Sequence, residues 1–116
     1  MNIDSQFDCF ADLVANLPDD FATSQPLPAS LRMAGDHRHE IYYSPFDHIT
    51  TSARVVLVGI TPGRVQAVAA LDTARRALRA GRAHERARAL AKATASFAGP
   101  MRRNLVDLLD HVGVAE

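Results

Sequence analysis

Phe7, Phe10, Val14 and Leu17 recur at spacings of three, four and three residues, a single apolar stripe that predicts a helix over residues 6–17. Pro18 ends it. Residues 18–38 carry Pro18, Pro26, Pro28 and Gly35 with no sustained period, and read as an irregular connection. His39 to Tyr43 predicts a short strand that Pro45 stops, and Asp47 to Ser52 a polar turn. The run Arg54-Val-Val-Leu-Val-Gly59 has no alternation and is β-branched, the pattern of a strand buried on both faces. After the turn Ile60–Gly63, helices are expected from Arg64 to about Ala80, with Gly81 just past the end, and over 83–95. Thirteen alanines between positions 67 and 98 favour both. Phe97-Ala-Gly-Pro100 breaks the pattern, and a last helix, about 101–112, is expected to bury Leu105, Leu108, Leu109 and Val112.

A strand followed by helices opens an α/β domain, yet there is only one strong central strand and a parallel sheet needs several. At 116 residues the chain is one domain in length. Residues 1–116 are therefore expected to form a single, incomplete α/β unit.

Composition adds limits. With 47% apolar and 22% charged residues the chain reads as globular, and with 6% aromatics and no Trp its core must be aliphatic. No apolar run approaches a membrane span. Asp4 and Asp8 with no basic residue before Arg32 do not make a secretory signal. A single cysteine, Cys9, excludes an intramolecular disulfide, and a reducing cytoplasm is the expected compartment. The net charge of zero hides an asymmetry: residues 1–53 hold two basic residues against eight acidic ones, and residues 54–116 eleven against five. An Arg-rich second half suits phosphate contacts.

Val58-Gly-Ile-Thr-Pro-Gly63 lies between the expected strand and a helix start, where free N–H groups and two glycines admit a ligand. It lacks the Lys-Ser/Thr of a Walker loop and the spacing of a dinucleotide fingerprint. A plain tight turn remains the alternative.

Leu57-Val-Gly-Ile-Thr-Pro-Gly63 resembles the first motif of the uracil-DNA glycosylase superfamily, and Ser96-Phe-Ala-Gly-Pro-Met-Arg-Arg-Asn-Leu-Val-Asp-Leu-Leu-Asp-His-Val-Gly113 looks like a second signature, in the same order. The resemblance covers roughly residues 53–113. It implies a three-layer uracil-DNA glycosylase-like α/β domain, represented by its N-terminal portion. It also implies DNA, single-stranded or damaged, as partner, with no cofactor and no metal. Gly59, Ile60, Pro62 and Gly63 would hold a flipped base through their backbone, and Phe97 would stack on it. Gln66, in the first helical turn by its position, would either touch a ligand at the helix mouth or be solvated, and Arg64, Arg102 and Arg103 would meet phosphate. Active branches carry Asp or Asn third in the motif, or Glu second. Here Ile60 and Thr61 stand there, so Thr61 would at most orient a water. The reaction of an intact relative is hydrolysis of an N-glycosidic bond. The alternatives are a catalytically inactive nucleic-acid-binding relative, a nucleotide- or anion-binding α/β protein, and an interaction protein whose turn binds nothing.

Other constellations are weaker. His37 and His39 lack a third metal ligand at a matching spacing. Asp47-His48 lacks a nucleophile partner. Cys9, beside Phe10, is expected to be buried. Arg64, Arg75, Arg79, Arg82 and Arg86 would form one basic stripe if the helix ran through Gly81; a solvated helix face is the alternative.

Overall fold

The computed structural model describes residues 5–23 and 27–114; Asp4 and Pro26, used above, lie outside them. Among the described residues there are four α-helices: α1 (Ser5–Ala15), α2 (Arg64–Arg79), α3 (His84–Ala95) and α4 (Pro100–His111). Two short strands, β1 (Arg32–Gly35) and β2 (Glu40–Tyr42), pair antiparallel with Arg32 opposite Tyr42 and Gly35 opposite Glu40. The connection expected to be irregular thus contains β1. Its reversal is fixed by Asp36, whose Oδ1 accepts from the backbone N–H groups of Arg38 and His39 (2.8 Å each). These two hydrogen bonds hold the Asp36 carboxyl below its ordinary range.

The three-layer α/β expectation is overturned. The described residues are mostly helical, and their one sheet has two antiparallel strands. Arg54–Gly59 has no strand partner, and Val56 and Val58 are 74% and 91% exposed. The β-branched run pointed to a buried strand, but burial requires neighbours, and no described strand lies beside it. The last helix is corrected too: α4 has no buried residue, with Leu108 and Val112 exposed and Leu105 and Leu109 half-buried.

The core lies between α1, α2 and α3. Ala67, Ala70, Ala74 and Ala77 line the inner face of α2, and Ala87, Ala91 and Ala95 that of α3. Methyl-sized faces let the two helices, joined by the short link 80–83, pack closely along their length. Gly81 makes the link possible by taking a φ of 81°. Phe7, Ala11 and Val14 of α1 lie over this pair, joined by Leu17, Phe21, Leu31 and Tyr43, so the core expected to be aliphatic takes in three buried aromatics among the described residues. Phe10 stacks on Tyr43, centroids 4.4 Å apart. Burial, and then the neighbouring Asp47 carboxylate that accepts from its hydroxyl (3.1 Å), push the Tyr43 phenol above its ordinary range.

The basic stripe, conditional on one helix running through Gly81, does not form: α2 ends at Arg79, and three of the five arginines are engaged within the fold. Arg75 is buried, lies over the Phe21 ring at 5.6 Å, and bonds Asp19 (2.7 Å) and Asp72 (3.0 Å). Arg79 donates to the carbonyls of Ala15 (2.7 Å) and Leu17 (2.8 Å) at the end of α1. Arg64 donates to the Ala22 carbonyl (3.0 Å). The hydrogen bond from Arg75 holds the Asp19 carboxyl below its ordinary range. A depressed carboxyl stabilises the fold above its unfolded pKa, about 3.9, and stops doing so as pH falls through the lower folded value. Asp19→Asn should therefore lower the thermal midpoint slightly at pH 7, since Asp19 is largely exposed and screened. The difference from the parent should close below that range in acid; a difference unchanged at pH 2 would exclude this ion pair as its source.

Candidate functional site

Two chain reversals face each other at one end of the α2–α3 pair. The first is Gly59–Gly63, leading into α2. Gly63 is the N-cap, with an extended backbone and no side-chain cap, so the first N–H groups of α2 lack an intrahelical partner. The second is the turn Ser96–Gly99 between α3 and α4. Here Phe97 takes a φ of 56°, the left-handed region that a bulky residue rarely enters, and Gly99 follows at 90°. This backbone costs about 1–3 kcal/mol, and such strain clusters at ligand sites.

Phe97 and the segment Leu57–Gly63 line one open cavity of about 450 Å³. Gln66, Lys92, Ser96, Phe46 and Met101 complete it. Gln66, from the first turn of α2, donates to the Ala98 carbonyl (3.0 Å) and ties the two reversals together. A Cβ at Gly63 would sit 2.7 Å from the Gln66 side-chain oxygen, so glycine there leaves this tie undisturbed. Arg102 donates to the carbonyls of Ala93 (3.0 Å), Thr94 (2.8 Å) and Ser96 (2.6 Å), closing the C-terminus of α3 and bracing the turn that carries Phe97. Ser96, the C-cap of α3, follows Lys92 by one turn, and the Lys92 ammonium donates to the His48 carbonyl.

The structure brings Gly59, Ile60, Thr61, Pro62, Gly63, Gln66 and Phe97 to this cavity. The three arginines singled out for phosphate are not among its lining residues. Arg64 bonds Ala22 on another flank, Arg102 is engaged with backbone, and Arg103 lies 3.7 Å from Asp107 along α4. Gly59 has open space where a side chain would go, so nothing here demands glycine at that position.

Sequence reasoning missed Phe46, Lys92, Ser96 and Met101. A signal existed for two of them: Lys92, the one lysine among thirteen basic residues, stands four before Ser96 and so shares its helix face one residue ahead of Phe97.

The cavity's lining is mostly apolar, with Thr61, Ser96, Gln66 and Lys92 as its polar side chains, of which Gln66 and Lys92 donate to the Ala98 and His48 carbonyls. No carboxylate or imidazole is among its lining residues. Elsewhere, Cys9 is exposed rather than buried. His39 lies 3.5 Å from Asp36, and the described residues contain no cluster of three metal-ligating side chains.

No family model matches the sequence, and no solved structure matches it. The chain is 36% identical over 108 residues to a protein of Bacillus subtilis (strain 168) named Uncharacterized protein YoxB. The match takes in 92% of this chain and 42% of YoxB, so the chain spans less than half the length of that relative.

Proposed function

We propose that the cavity recognises an unpaired or flipped nucleobase in DNA, in the manner of a uracil-DNA glycosylase-like protein. The observation that carries the reading is that Phe97 and the turn Gly59–Gly63 line a single cavity of about 450 Å³. A ring on one side and backbone N–H groups on the other are the two contacts a planar base needs, stacking on its face and hydrogen bonds to its edge. The Gln66 tie sets the two walls before any ligand arrives, which lowers the cost of binding.

Hydrolysis is a separate step. Water must lose a proton as it attacks the glycosidic carbon, and the departing base must carry negative charge. The start of α2 and the Lys92 ammonium suit the second requirement. The first needs a general base, and the Thr61 hydroxyl orients water without accepting its proton near neutral pH. The reading for these residues is therefore base recognition, with bond cleavage dependent on a base supplied from outside the cavity.

Fluorescence anisotropy with single-stranded oligonucleotides, alongside chromatography for free base released from uracil-containing DNA, tests this. Binding without base release is expected from this chain. Equal binding of an abasic oligonucleotide of the same length would refute base recognition, because only phosphate contacts would then remain.

A further inference from the structure

Arg64, Arg102 and Arg103 do not line the base cavity, but two other cations meet beside it. A second cavity, of about 320 Å³, lies between α3 and the loop before Arg54. On the helix side Arg86, Ala89, Ala93 and Ser96 follow at spacings of three, four and three, one face of α3 and its cap. On the loop side stand His48 and Thr50. Lys92 and Ser96 line both cavities, so the two share a wall. The charge of this second cavity has one sign. No carboxylate lines it. Asp47, the acidic neighbour of His48, accepts from the Tyr43 hydroxyl instead (3.1 Å). Among the described residues Arg86 takes part in no ion pair, whereas Arg75, Arg76 and Arg103 each do. Lys92 gives one of its three N–H groups to the His48 carbonyl, which leaves two. The His48 Nδ1 is buried without a hydrogen-bond partner among the described residues, and a buried polar atom of that kind calls for one.

We infer that this cavity is a phosphate site, and that it holds a backbone phosphate of the strand whose base enters the adjoining cavity. Two cations unopposed by a carboxylate, with the Thr50 and Ser96 hydroxyls, form a donor set for a tetrahedral oxyanion, which accepts hydrogen bonds from several sides. This first half stands on the second cavity alone. The second half rests on the base-recognition reading above. The shared wall of Lys92 and Ser96 supports it, because a nucleotide with its base on one side of that wall and its phosphate on the other spans both cavities. Free phosphate is the competing source of the same chemistry.

Titration of the whole chain with inorganic phosphate at fixed ionic strength, followed by NMR of backbone amides and arginine Nε–H groups, tests the first half without nucleic acid. Shifts should saturate and centre on Arg86, Thr50 and Ser96. They should disappear in Arg86→Gln, a change at an exposed position that should leave circular dichroism unchanged. Absent shifts, or shifts that chloride reproduces at the same ionic strength, would overturn the inference. Single-stranded oligonucleotides test the second half. Arg86→Gln should weaken their binding roughly 10-fold at low salt, the scale of one charge-assisted contact. It should also reduce the slope of log affinity against log salt by about 0.7, one phosphate on a single strand, and Arg86→Lys should restore that slope. The loss should be the same for an abasic oligonucleotide, whereas Phe97→Ala should affect only the base-bearing one. Phosphate binding with oligonucleotide affinity unchanged in Arg86→Gln would overturn the assignment to a strand and leave free phosphate as the ligand. Equal affinity for abasic and base-bearing oligonucleotides, with the Arg86 loss intact, would refute base recognition and the second half with it, while the phosphate site stands.

Discussion

Phe7→Ala should destabilise the chain by about 3–5 kcal/mol, the cost of truncating a fully buried aromatic where the surroundings collapse only partly. Phe7 is 0% exposed and anchors α1 on the helical pair. Its ring meets the edge of His84 at 5.7 Å, and His84 in turn sits 2.8 Å from Asp8 of α1. Most of the other buried side chains on α2 and α3 are alanines, which fill no gap when a neighbour shrinks. A domain's whole stability is about 5–15 kcal/mol, so this one change removes a large share. Urea titration followed by helical circular dichroism measures it. A loss under about 1.5 kcal/mol would mean that α1 contributes little to the fold, and the packing described here would be wrong.

Phe97 is where two effects of opposite sign meet. Phe97→Ala should weaken binding of single-stranded DNA by about 1–3 kcal/mol, roughly 5- to 150-fold, through loss of one stacking face. It leaves the left-handed backbone in place, so it should not raise stability. Phe97→Gly removes the same ring and also frees the φ of 56°. It should bind as poorly as the alanine variant while being more stable than that variant by about 1 kcal/mol. Anisotropy titrations and thermal melts of the three proteins separate the effects. Unchanged affinity in both variants would remove the ring from the binding surface. Equal stability of Ala and Gly would show that position 97 carries no backbone strain.

The helices were legible in the sequence because their signals are local. The stripe Phe7–Leu17, the alanine-rich windows, Gly81 and the Phe97–Pro100 break each act within a turn or two, and the observed bounds fall within a few residues of those expected. The failures concern contacts at long range. Arg54–Gly59 has the composition of a buried strand, but whether a strand is buried depends on chains that pack beside it. The same holds for α4, whose amphipathic pattern identifies a helix without saying what lies against it. β1 was invisible for another reason: Arg32-Met-Ala-Gly35 is four residues without alternation, and its pairing is imposed by the Asp36 reversal and by Tyr42 opposite. At the cavity, the motif residues stood out as a turn and an aromatic. Phe46 and Met101 did not, since reaching the cavity from the loop before residue 54 and from the start of α4 is a property of the fold.

The alanine seam between α2 and α3 makes the cavity's width an inherited dimension. One wall rides on the first turn of α2 and the other on the turn that ends α3, so the gap between Gln66 and Ala98 is set by how closely two rows of methyl groups meet. Such a seam has no compliant member: an added methylene at Ala74, Ala87 or Ala91 cannot rotate out of the way and must push the helices apart. Positions that never touch a ligand thus act as spacers for it. Among related chains, variation in bulk along this seam would change what the slot admits without altering a single residue that lines it.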